Sequence, residues 1–109
     1  MAYRVKKATV VFGGHDTWLK AFRPMLAGKI RFVGKEELFN RALIRNAEVV
    51  WIQPNAISHK AFYRIAGEAR RYRKPIRYFA TASAGKCAEQ LIGYDKAGED
   101  AHDRGMPGK

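Results

Sequence analysis

Four short apolar runs, separated by stretches in which apolar residues recur every three or four positions, set the pattern of this chain. The runs are residues 7–12 (KATVVF), 29–33 (KIRFV), 49–52 (VVWI) and 76–80 (IRYFA). Each is short and rich in β-branched or aromatic residues, which predicts strands. Val49-Val50-Trp51-Ile52 shows no alternation and reads as a strand buried on both faces. Residues 29–33 alternate charged with apolar side chains, as an edge strand does.

The stretches between the runs predict helices. Asp16 or Thr17 can cap the first, in which Trp18, Leu19, Phe22, Met25 and Leu26 keep the helical period. Pro24 lies inside that pattern and predicts a kink or an early end, and Gly28 is placed as the stop. Glu36 and Glu37 put negative charge on the first turn of the second helix. Leu38, Phe39, Ala42 and Leu43 form its buried face, and Asn46 takes the left-handed closing position. Ser58 caps a third helix in which Phe62, Ile65, Ala66, Ala69 and Tyr72 form one apolar face, and Lys74-Pro75 ends it. A fourth helix follows Ser83, runs to Leu91 or Ile92, and closes at Gly93. From Tyr94 onward there is no apolar period, which predicts a flexible polar tail over 94–109 behind a single domain over 1–93.

Strands and helices thus alternate strictly, with short connections. That order predicts an α/β fold, a small Rossmann- or flavodoxin-like three-layer sandwich around a four-stranded parallel sheet. Right-handed crossovers favour the strand order 2-1-3-4. The chain then switches direction between strands one and three, and the loops 13–16 and 54–59 face each other across a crevice at the carboxyl edge.

Charge changes the picture. The chain has 109 residues, with 21 Lys and Arg against 10 Asp and Glu and a net charge of +11. The excess is uneven: residues 1–34 carry 7 basic and 1 acidic, 35–75 carry 9 and 4, and 76–109 carry 5 and 5. All of it precedes Pro75, so a polyanionic partner enters the reading through electrostatics. No apolar run approaches the roughly 20 residues that span a bilayer, so no membrane partner is expected. One cysteine, Cys87, rules out an internal disulfide and points to a reducing, cytoplasmic setting. The edges of so small a sheet need covering, which makes a homodimer a natural arrangement.

Candidate chemistry gathers at the strand ends. Gly13 and Gly14 permit a tight turn and close backbone approach, and the helix start after His15-Asp16 favours an anion. The dinucleotide fingerprint is incomplete, because no third glycine stands at the required spacing. Asn55, Ser58 and His59 occupy the facing loop, and Tyr63 shares the face of His59 one turn on. Thr81 can reach the crevice from the fourth strand, and Ser83 caps the last helix. The stretch from Ala80 to Cys87 is near a phosphate loop but lacks its first Gly and its closing Ser or Thr. Ser58 and His59 are adjacent and diverge on a helix, which argues against a nucleophile–base pair and hence against hydrolysis. Cys87 reads as a small buried residue. His15, His59 and Asp16 together could hold a divalent metal, or the two imidazoles a haem. Lys60, Arg64, Arg70, Arg71, Arg73 and Lys74 form a basic cluster on the third helix suited to phosphates, with Tyr72 and Tyr78 offered for stacking.

VVFGGH after strand one, VVWIQPNAISH through strand three, Tyr63, and KPIRYF followed by Thr81 and Ser83 resemble a small bacterial family, domain-of-unknown-function family 2325. The resemblance covers about residues 8–91, and its Gly-Gly and Ser-His signatures fall on Gly13, Gly14, Ser58 and His59. It implies a Rossmann-like single domain in bacteria and carries no established activity. Pro54-Asn55 and the strongly basic first two-thirds depart from common members.

Taken together, the residues predict a non-catalytic cytoplasmic module that holds a small anionic, phosphate-bearing ligand. Gly13, Gly14, Ser58 and flanking amides would contact the anion, with His15 and His59 adding hydrogen bonds or charge. Nucleic-acid binding by the basic third helix is one alternative, and metal or haem binding through His15 and His59 is the other.

Overall fold

All four residues of Val49–Ile52 are buried, and they alternate between two separate cores. Val49 and Trp51 face one side of a sheet, and Val50 and Ile52 face the other. A strand covered on both faces needs apolar side chains at every position, which is why this run shows no polar alternation. The structure is a computed structural model that describes residues 2–34 and 40–104, with side chains through residue 97.

The sheet has four parallel strands in the order β2-β1-β3-β4. They are β1 (Tyr3–Phe12), β2 (Leu26–Val33), β3 (Val49–Ile52) and β4 (Ile76–Tyr78). The helices are α1 (Asp16–Phe22), α2 (Arg41–Arg45), α3 (His59–Arg71) and α4 (Ala84–Arg104). Trp18 and Phe22 of α1 join Cys87, Ala88 and Leu91 of α4 on one face; Ile44 of α2 joins Ile65 and Ala69 of α3 on the other. The protein is therefore a three-layer α/β sandwich of Rossmann-like form, with the strand order expected from the alternation of elements.

The two faces differ in chemistry. On the α1/α4 side, Trp18 stacks on Phe22 at 4.4 Å and Trp51 on Phe79 at 4.7 Å, with further edge contacts among them. Such pairs contribute about 0.5–1.5 kcal/mol each beyond the area they bury. The α2/α3 side is mainly aliphatic, built on Val10, Val50, Ile52, Ile44 and Ile65.

Several boundaries differ from the sequence reading. Helix α1 ends at Phe22, and the Pro24 segment becomes a single 3-10 turn, Arg23–Met25, as the missing amide of proline requires. The cap of α1 is His15, not Asp16 or Thr17, and Asp16 instead brings negative charge to the first turn. Gly28 is not a helix stop. It lies within β2 opposite Val5, at φ +86, where a Cβ would come 2.6 Å from the Val5 carbonyl oxygen. β1 and β2 shift register just beyond this pair, between Val5 and Thr9. β1 begins at Tyr3, because its amino half, polar in sequence, is paired with Leu26 and Ala27 of β2.

Asn40 caps α2 by accepting from the Ala42 amide at 2.9 Å. Asn46 closes the helix at φ −90, a right-handed conformation, and Ile44 is its buried residue. Glu36, Glu37, Leu38 and Phe39 lie outside the described residues. Helix α4 passes through Gly93 to Arg104, correcting the predicted closure at Gly93. Just beyond Gly93 the helix carries Asp95, which is only 2% exposed. Its carboxylate accepts from the Tyr3 hydroxyl at 2.7 Å and from the Lys6 and Lys7 amides at 3.1 and 3.0 Å. Those are the amides freed where β1 slips register, so α4 supplies the partners the sheet cannot.

Helix α3 closes with a Schellman motif: the Arg73 amide donates to the Arg70 carbonyl at 3.0 Å and Lys74 to that of Ala69 at 2.8 Å. Arg73 is held at φ +57, where glycine is favoured. Arg73→Gly is expected to raise folding stability by about 0.5–1 kcal/mol, relieved strain exceeding the added freedom of the unfolded chain. Urea denaturation checks this; an unchanged or lower midpoint refutes it.

Candidate ligand site at the carboxyl edge of the sheet

Strands β1, β3 and β4 end side by side, so residues 13–15, 53–58 and 79–83 gather at one edge. The Gly13 amide donates to the Val33 carbonyl and the Gly14 amide to that of Ala56, both at 3.0 Å. A Cβ on Gly13 would lie 3.0 Å from the Ala56 oxygen and 3.1 Å from that of Gln53. The two loops thus face each other as expected, but in direct contact. The Gly13 and Gly14 amides, expected to cradle an anion, are engaged within the chain.

Gln53 organises this edge. It is buried, and its Nε2 donates to the Thr81 carbonyl at 3.2 Å while its Oε1 accepts from the Asn55 amide and side chain, each at 3.3 Å. Its local signal in the sequence is a polar side chain extending an apolar strand. The Asn55 side chain therefore turns back on Gln53. The Thr81 hydroxyl, expected to reach the crevice, accepts from the Ser83 amide at 3.1 Å. Ser83 caps α4, accepting from the Lys86 amide at 3.4 Å. Cys87 is fully buried and donates to the Thr81 carbonyl at 3.2 Å. Burial pushes its thiol pKa up, against smaller opposing contributions from Trp18 and Gln53.

Ser58 caps α3 as expected, its hydroxyl accepting from the Ala61 amide at 3.1 Å. His59, the first residue of that helix, is exposed and lines a cleft of about 210 Å³ with Pro54, Ile57, Phe62 and Tyr63. Tyr63 is 70% exposed. The cleft has an apolar floor, an imidazole at its lip and the amino terminus of α3 beside it. A helix amino terminus beside an apolar cleft favours negative charge at the lip.

His15 and Asp16 are exposed at the start of α1. Among the described residues, no group of three or more His, Cys, Asp or Glu could together hold a metal ion. Lys60, Arg64, Arg70 and Arg71 are exposed on α3, Arg73 is exposed just beyond it, and Lys74 is half-buried. Tyr72 is not available for stacking, because it packs against the aliphatic core. Tyr78 is exposed and stacks on Phe62 at 5.8 Å. No described helix is long and apolar enough to cross a membrane.

Comparison with protein-family models, with curated proteins and with solved structures found no match.

Proposed function

We propose that the protein is a non-catalytic cytoplasmic module that binds a phosphate-bearing ligand in the cleft at the start of α3. The observation that carries this reading is the 210 Å³ cleft itself, placed beside the gathered strand ends and lipped by His59. The α3 amino terminus favours an anion there, while Ser58 satisfies only one of the first-turn amides. The engaged amides of Gly13 and Gly14 shift the anion from between the two loops to this lip.

Thermal-shift screening followed by calorimetry with mononucleotides and sugar phosphates tests the reading. A ligand that stabilises the wild type should bind His59→Ala roughly tenfold more weakly, about 1.4 kcal/mol. A ligand that binds both proteins equally, or no anionic ligand at all, refutes the site.

A further inference from the structure

The outer side of α3 presents two kinds of group together. The first is aromatic: Tyr63 is 70% and Tyr78 41% exposed, and Phe62 joins them, stacked on Tyr78 and edge-on to Tyr63 at 5.4 Å. Because Phe62 and Tyr63 also line the cleft, rings and cleft make one continuous surface. The second is cationic: Lys60, Arg70, Arg71 and Arg73 are exposed along and just beyond the same helix, whose one acid, Glu68, is half-buried. Arg73 keeps a charged side chain in a backbone conformation that glycine would occupy without strain. Solvent-facing rings at the start of α3 and cations running along it to Arg73 just past its far end together point to a partner carrying both flat apolar faces and negative charge.

We propose that α3 and the adjoining edge of β4 bind single-stranded nucleic acid. A base stacks on Tyr63 over the cleft, and the sugar–phosphate backbone follows the cations of α3 toward Arg73. Single strands fit because their bases are free to stack on aromatic rings, whereas those of a duplex are already stacked on one another. The proposal rests on the cleft described above for a phosphate-bearing ligand and adds the polymer as its substrate class.

Fluorescence anisotropy with labelled oligo(U) and oligo(dT) of about ten nucleotides, with a matched duplex and mononucleotide competitors, tests it. Expected is preferential binding of single strands, with affinity falling as salt rises at a logarithmic slope near −2 for about three phosphates. Tyr63→Ala should weaken binding roughly tenfold and Tyr63→Phe should restore it. Arg70→Glu with Arg71→Glu should weaken binding and make the slope shallower by about 1.4. The β2 pair Lys29→Glu with Arg31→Glu, of the same net charge, should leave the slope unchanged. Equal slopes for the two charge-reversed pairs, an unaffected Tyr63→Ala, or duplex binding as tight as single-strand binding would each overturn the proposal. Competition by a mononucleotide as effective as the oligomer would overturn it while sparing the small-ligand reading. Absence of binding to both oligomers would overturn it as well, and leaves the small-ligand reading to its own screen.

Discussion

Gly14→Ala is expected to lose roughly 3 kcal/mol or more of folding stability and to lower the melting temperature by more than about 10 °C. Gly14 sits at φ +108, and a Cβ there would fall 2.4 and 2.6 Å from two ring carbons of Trp18. The ring has little room to retreat. It is stacked on Phe22 at 4.4 Å and meets Phe79 edge-on at 5.6 Å, in the aromatic half of the core. The backbone is fixed too, because the Gly14 amide is bonded to the Ala56 carbonyl. A side chain at positive φ costs about 1–3 kcal/mol, and forcing extra volume into a packed core costs a similar amount. Thermal denaturation followed by near- and far-ultraviolet circular dichroism measures the loss. Gly85→Ala on α4, where an added Cβ meets nothing within 4 Å, serves as the control and should be neutral or stabilising. A Gly14→Ala protein within about 1 kcal/mol of the wild type would show that Trp18 is not held as described.

The second large effect falls on Asp95. Asp95→Ala removes the acceptor of three donors at once, the Tyr3 hydroxyl and the Lys6 and Lys7 amides, and should cost about 2–3 kcal/mol. The carboxyl is under opposing influences: burial raises its pKa, while bonds from Tyr3, Lys7 and Lys6 and the Lys7 charge lower it. The net direction is downward from 3.8. A depressed folded pKa fixes the sign. The ionised carboxylate contributes stability that is complete above the unfolded value and fades as the pH falls through the folded one. Asp95→Asn, which cannot ionise, should therefore trail the wild type at pH 7, and the gap should narrow as the pH drops below 3.8. Urea midpoints measured across that range decide the matter. A gap that stays constant into acid would mean that hydrogen-bond geometry, not charge, holds the strand.

Local signals made much of this architecture legible. Val49–Ile52 announced a strand buried on both faces, Ser58 marked the start of α3, and strict alternation of elements led to the parallel sheet and its order. What escaped depends on partners distant in the chain. Nothing near Gly28 in sequence shows that the Val5 backbone will pass within 2.8 Å of where its side chain would be. Nothing near Tyr94 shows that the next residue will be drawn against β1, so the sequence reading closes the helix at Gly93. The site divides in the same way. That residues 13–16 and 54–59 converge follows from topology alone. That the Gly13 and Gly14 amides are taken depends on the Val33 and Ala56 carbonyls, which only the folded chain brings near. Of the two tyrosines offered for stacking, Tyr72 turned inward and Tyr78 outward, a difference set by packing against the aliphatic core.

The clamp between Asp95 and β1 also bears on how the protein is made. A ribosome releases the first strand early, yet the carboxylate that takes up its unpaired amides lies 89 residues further on from Lys6. At about 5–20 residues per second, the nascent strand waits roughly 4–18 s for that partner. Its sheet neighbours, β2 and β3, also arrive only after it. Until α4 has been made, the Lys6 and Lys7 amides have water rather than Asp95 as their partner. The clamp on β1 can close only after α4 emerges, which ties the two ends of the folded unit together.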